Sequence, residues 1–402
     1  MTAKNIFSVE SVLEAGKLKS LVAGEVDSRR DELNELSLKI HDNPELGFHE
    51  VKAVAWLTGY LAKNNFSIEK GICDLPTAFR ASYGRGKPVI AILAEYDALP
   101  KMGHACGHNL IAASAVGAGI ASRLAVKQCG GSVLVIGTPA EELYGGKIIM
   151  ADRGAFDDLD AVLMVHTGSR DTATPRLIAC QNLDMEFFGK PAHAAARPEY
   201  AINALEAMIQ SFTAINSLRQ HIKDNSRVHG IITDGGEAAN VVPAHSAGTF
   251  IVRAEDDDYL EELKEKVLKC FTGAATATGA KLEYRWADVC YASLRSNSIL
   301  ARLFMENMQS LGRKIVLADP GSSLGSSDIG NVSRLVPAIH PSVAIAPVNV
   351  LLHSPEFAEA AVSEAGVRGF MDAAKAMAMT VVDLLAVPGT IAKIKEEFER
   401  GK

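Results

Sequence analysis

Apolar positions recur at helical spacing over residues 26–40 and again over 51–62, with Asp42-Asn43-Pro44 breaking the chain between them, so the sequence predicts two helices there. The pattern then changes. Short runs of consecutive apolar, mostly β-branched residues at 89–93, 133–136 and 161–165 alternate with helical stretches at 110–127 and 146–152. Such alternation predicts an α/β layer with a mainly parallel central sheet flanked by helices.

Residues 183 to 288 carry an order of their own: strand, helix, strand, strand, helix, strand, at 184–188, 201–222, 228–233, 248–254, 259–278 and 281–286. This is the split βαβ unit of a ferredoxin-like βαββαβ fold. Segments of the α/β type resume at Asn297 and run to a C-terminal helix. The expected organisation is therefore one domain from 1–182 plus 297–402, interrupted by an inserted domain at 183–296. A chain of 402 residues, 48% hydrophobic, has material for two cores.

The formal net charge of −7 arises from mixed charges without long single-sign runs, which argues against a nucleic-acid groove or a polybasic membrane anchor. Six cysteines are spread thinly and no charged-then-apolar leader opens the chain, so a reducing cytoplasm is expected. The apolar stretch 110–126 is rich in Ala and Gly and contains Ser114, Ser122 and Arg123, which suits a buried helix better than a membrane span.

Chemistry concentrates at strand ends. Gly103-His104-Ala105-Cys106-Gly107-His108-Asn109 sets a thiol and an imidazole two residues apart before a predicted helix. Both suit a borderline-soft ion, although a small core cysteine beside helix-start histidines would look the same. Thr138-Pro139-Ala140-Glu141-Glu142 follows the run 133–136, at the strand end where open α/β sheets bind ligands. One carboxylate there could hold metal while its neighbour moves a proton; a solvated pair at a turn is the plainer alternative. His166 directly follows the run 161–165, and His353 follows a further apolar run at 348–352. At a fifth strand end, Asp97 in Glu95-Tyr96-Asp97-Ala98-Leu99-Pro100 could orient a ligand imidazole.

Taken together, His41-x-x-Pro44-Glu45-Leu46-Gly47, Asp97-Ala98-Leu99-Pro100, the 103–109 run, Glu141-Glu142 and Ala192-His193-Ala194-Ala195 resemble the di-metal peptidase family of aminoacylases and related amidohydrolases. The likeness covers nearly the whole chain. It is closest to the cysteine-ligand branch of p-aminobenzoyl-glutamate hydrolase and β-alanyl-lysine dipeptidase-like proteins, which the segment Gly325-Ser326-Ser327-Asp328-Ile329-Gly330-Asn331-Val332-Ser333 also resembles.

The resemblance implies Cys106, His108, Glu142, His166 and His353 as ligands of two divalent ions, zinc or manganese. Many relatives have a histidine two residues before the aspartate matched by Asp97, and a bridging carboxylate where Cys106 stands. Here Glu95 and Cys106 occupy those positions, so His108 would supply the missing imidazole and Cys106 the bridge. Glu141 is then the general base, and Asp97 a support behind the ligands. His193 matches a histidine that the family's inserted lid and dimerisation domain supplies to the oxyanion, often across a homodimer. Asn240 and Arg253 are candidate partners of a substrate carboxylate. The implied substrates are small amides or dipeptides: aminoacyl or N-acyl amino acids, or p-aminobenzoyl-glutamate.

Two rivals remain. Gly321-Ser322-Ser323-Leu324-Gly325 fits a nucleophile elbow, with Asp328 and His353 following in a permissible order, which makes Ser323 the nucleophile of a serine hydrolase. The other is a binding protein that keeps the fold and the metal without turnover.

Overall fold

A computed structural model describes residues 9–318 and 325–401. They form two compact units, one of 9–175, 295–318 and 331–401, the other of 176–294 and 325–330. In chain order the strands are β1 (Ser67–Lys70), β2 (Phe79–Arg85), β3 (Val89–Ala94), β4 (Gly131–Gly137), β5 (Ala161–Leu163), β6 (His166–Gly168), β7 (Ala179–Phe188), β8 (Arg227–Asp234), β9 (His245–Ala254), β10 (Lys281–Tyr291), β11 (Ala338–Ile339) and β12 (Ser342–Ala344).

The first unit is built on a six-stranded sheet of order β1-β2-β4-β3-β5-β11. From β4 to β11 every neighbouring pair is parallel, and β1 and β2 add an antiparallel edge. Parallel strands covered on both faces read as unbroken apolar runs. β4 is buried at every position, β3 at all but its first. The helix His108–Cys129 packs against β3, β4 and the helix Glu364–Ala386. Its small residues permit the close approach: a Cβ on Gly119 would lie 2.3 Å from a Val135 methyl. This helix is long and apolar enough to cross a membrane, but 89% of its apolar window is buried, which makes it a core element.

In the second unit β7, the helix Ala204–Leu218, β8, β9, the helix Asp257–Thr278 and β10 follow in the anticipated ferredoxin-like order. The sheet is antiparallel throughout, ordered β10-β7-β9-β8. Alternate residues of β7 and β9 are buried, and Leu183, Met185, Phe187, Phe250 and Val252 meet Leu263, Val267 and Phe271 of the second helix. Asn203 and Asp256 cap the two helices, accepting from the amides of Glu206 and Tyr259 at 3.2 and 2.7 Å. β8 and β10 are the sheet edges, and Ile231 of β8 is 65% exposed.

Three details differ from the sequence reading. β7 begins at Ala179 rather than in the 183–188 region, because Ala179, Cys180 and Gln181 pair with Ala254, Arg253 and Val252. Residues 325–330 belong with the inserted unit: the carbonyl of Gly325 accepts from Ile178, and Ser326 Oγ donates to the Ile178 carbonyl. The third concerns His353. The apolar run 348–352 is not a strand; Pro347 accepts from Val350 at 2.9 Å in a turn, and Val348 and Leu351 stand 61% and 71% exposed. The nearest strand is β12, which pairs with β6 in a separate two-stranded parallel sheet.

Candidate metal centre

The sequence from Gly103 to His108 makes a tight turn before its helix. Gly103 and Gly107 both have positive φ, and a Cβ on Gly107 would lie 2.5 Å from Thr167 Oγ1. That close approach lets Thr167 Oγ1 donate to the Cys106 carbonyl at 2.6 Å, tying the cysteine turn to β6. Cys106 Sγ then lies 3.5 Å from His166 Nε2. The other nitrogen of His166, Nδ1, donates to the Thr167 carbonyl at 2.7 Å, which leaves Nε2 as a lone pair. Burial, with the charge of His108 next, holds this imidazole down to about 4, so it is neutral at pH 7.

His108 opens the helix and is wholly buried. Its Nδ1 donates to Asp97, at 2.9 Å to the carbonyl and 3.1 Å to Oδ1. Nε2 faces Glu142, whose Oε1 is 3.9 Å away. Asp97 Oδ2 meanwhile accepts from the Glu142 backbone amide at 3.0 Å, so this one carboxylate fixes the His108 ring and the Glu142 main chain.

The turn after β4 depends on Ala140, a non-glycine residue at φ 60°. Its amide donates to Glu50 Oε1 at 2.8 Å, and burial pushes the Glu50 carboxyl up to about 7. The turn delivers Glu141, which is buried, and Glu142. Glu142 Oε1 is 3.5 Å from Nε2 of His353. His353 has φ 63° and is held by its amide, which donates to the Ala105 carbonyl at 2.9 Å.

The ligand atoms gather in overlapping sets, the members of each within 4.8 Å of one another: Cys106, His108 and His166; Cys106, Glu142 and His353; His108, Glu141 and Glu142. Cys106 is common to the first two. His108 Nε2 and Glu142 Oε1 are buried with no hydrogen-bond partner, a costly state for polar atoms. Burial, then the neighbouring Glu142, drives the Cys106 thiol up, while Asp97 and Cys106 overcome burial to raise His108. Thiol, carboxylate and imidazole donors converging around two buried atoms that lack a hydrogen-bond partner fit divalent cations.

The remaining predicted residues lie in the second unit. His193 and Asn240 are neighbours: His193 is exposed, pairs with Val241, and precedes Ala194, whose amide donates to the Asn240 carbonyl at 3.0 Å. Arg253 is not with them. It sits near the far end of β9, about 26 Å of strand beyond His245 at 3.3 Å per residue. Its Nη1 donates to Ser326 Oγ at 3.1 Å. Ser323 lies outside the described residues, and the histidine assigned to it, His353, is turned to Glu142.

Sequence reasoning missed Glu50, Lys147 and His340. His340 is buried, its ring 5.2 Å from that of His166, and burial followed by the charge of His166 lowers it well below the usual imidazole range. It follows β11 directly, the same strand-end signal that marked His166. Lys147 is wholly buried against Glu95, an arrangement that an isolated lysine in a short helix does not announce.

Residues 181–277 match a peptidase dimerisation domain. The chain is 36% identical to the Xaa-Arg dipeptidase of Mus musculus, over 97% of this chain and 94% of that one. It is 28% identical to a p-aminobenzoyl-glutamate hydrolase chain of Escherichia coli K12, over 93% of each. A dinuclear metal-binding peptidase from Bacillus subtilis superposes with a TM-score of 0.71 at 22% identity, covering 89% of this chain and 99% of that one. The serine-nucleophile and non-catalytic readings find no support among these relatives. The chain belongs to the M20 family of metal-dependent peptidases and amidohydrolases.

Proposed function

We propose that this hydrolase cleaves the amide bond of aminoacyl or N-acyl amino acids, with dipeptides ending in a basic residue as the first class to test. The observation that carries the site assignment is the convergence of Cys106, His108, Glu142, His166 and His353, with Cys106 common to two ligand sets. Likeness to a dipeptidase that acts on Xaa-Arg, along nearly the full length, favours the basic dipeptide. The weaker likeness to p-aminobenzoyl-glutamate hydrolase makes that compound the second substrate to try.

Two divalent cations, zinc or manganese, would supply Lewis acidity to a water and to the scissile carbonyl. Cys106, as a thiolate, would help to hold both ions, one with His108 and His166 and the other with Glu142 and His353. Asp97 fixes the His108 tautomer and the start of the Glu142 turn. Glu141, beside the ligands and outside both sets that contain Cys106, takes a proton from the attacking water and returns it to the leaving amine nitrogen. His193 is assigned to the oxyanion and Asn240 to the substrate carboxylate. Arg253, engaged with Ser326, is a weaker candidate. The β8 edge, unpaired among the described residues and carrying the exposed Ile231 and Ile232, supports a homodimer built on the inserted unit.

The test is a panel of dipeptides, N-acyl amino acids and p-aminobenzoyl-glutamate, assayed after reconstitution with zinc or manganese and read by mass spectrometry of the released amine. Release of arginine or lysine from basic dipeptides is expected. No turnover of any amide with either metal would remove the reading.

A further inference from the structure

Beside His108 lies a buried charge pair that the reaction described so far does not use. Glu95 follows β3 and Lys147 lies in the helix Gly146–Asp152; neither side chain has exposed surface, and Lys147 Nζ is ion-paired with Glu95 Oε1. The second oxygen, Glu95 Oε2, is 3.6 Å from His108 Nε2, the nitrogen that faces the ligand cluster. Two donors on one tetrahedral zinc, with bonds of about 2.0 to 2.2 Å, stand about 3.3 to 3.6 Å apart. Glu95 is therefore at ligand spacing from His108. Among the described residues it falls in a candidate ligand group with Glu141, but in neither of the sets that contain Cys106.

A buried carboxylate within reach of a divalent cation binds it unless another positive charge holds it. A hydrolytic centre also has a reason to keep it off, because its chemistry needs one position open to water. The compact ammonium of Lys147 meets that need: protonated, it carries no lone pair to ligate, and its burial is tolerated because it is paired. We propose that Lys147 is a positioning residue that holds Glu95 off the cation beside His108 and so keeps a coordination position free for water. The inference rests on the two-ion reading.

Wild type, Lys147→Met, Glu95→Gln and the double variant are loaded with cobalt(II) as probe. Metal content, competition with a chelator and the visible spectrum are then measured. Lys147→Met is expected to hold cobalt at least about tenfold more tightly, the scale on which neighbours of ligands act, with weaker visible bands as coordination number rises. The double variant should return both readouts to wild type, and Glu95→Gln alone should keep the wild-type cobalt content and visible spectrum. If Lys147→Met folds only with cobalt present while the double variant folds without it, the freed carboxylate is again seen binding the ion. Loss of an ion or an altered spectrum in Glu95→Gln overturns the proposal, since Glu95 would then be a ligand already. So does a Lys147→Met protein that matches wild type, or one that fails to fold together with the double variant. A wild type that takes up no cobalt would instead sink the two-ion site itself.

Discussion

Replacing Asp97 by Asn tests how far one buried carboxylate organises the centre. Its Oδ1 accepts from His108 Nδ1 at 3.1 Å and its Oδ2 from the Glu142 amide at 3.0 Å. Both neighbours are donors, so an amide side chain can serve only one and must present its NH2 to the other. The His108 tautomer survives, because the Asp97 backbone carbonyl still accepts from Nδ1 at 2.9 Å. One hydrogen bond to a charged group is lost, worth about 1.5 to 3 kcal/mol. If that energy falls on the bound state, metal affinity drops about 10- to 150-fold, overlapping the range found for groups that orient metal ligands. Competition against a chromophoric chelator measures the drop, and circular dichroism checks that the fold survives. An Asp97→Asn protein that binds both ions as tightly as wild type would falsify the orienting role.

Other outcomes separate the remaining roles. Glu141→Gln should retain its metal and lose about 10²- to 10⁴-fold in kcat, whereas Glu142→Ala should lose metal in elemental analysis; full activity in the first variant removes Glu141 as base. Mixing His193→Ala with Glu142→Ala protein should restore activity if sites are shared across a dimer, and no recovery argues that His193 does not act across subunits. Asp160, away from the centre, accepts from the Val89 amide at 2.7 Å and pairs with Lys395. Burial alone would raise its carboxyl, but Lys395 and that amide hold it below the usual value of 3.8. Its contribution is thus present above pH 3.8 and lost as pH falls through the folded-state value. Asp160→Asn should cost about 2 kcal/mol in urea denaturation at pH 7, with a smaller deficit below pH 3.8; an equal deficit at both pH values contradicts the ion-pair account.

Legibility in the sequence followed burial and periodicity. β3 and β4 stand out because both their faces are covered, and the inserted unit because β7 and β9 alternate cleanly. β11, with two residues, carries no periodic signal, so its following histidine, His340, passed unnoticed. The run before His353 misled because apolar character stood in for burial; Pro347 turns the chain there and leaves Val348 and Leu351 in solvent. Cys106, Glu142 and His166 were marked by motif and strand end, but their mutual distances depend on Ala140 at φ 60° and on Thr167 under Gly107, which no local pattern encodes. The pairing of Lys147 with Glu95 was hidden for a similar reason, since 52 residues separate them.

The support given to His353 sets it apart from the other groups around Cys106. Its side chain is 46% exposed on an irregular turn, whereas His108 is sealed inside the fold. Segments with few buried contacts open at the least free energy. If the proposed ligands hold two ions, exchange with the surrounding solution would pass by this arm, and the cation shared by His353 and Glu142 would be the first to leave and the last to settle.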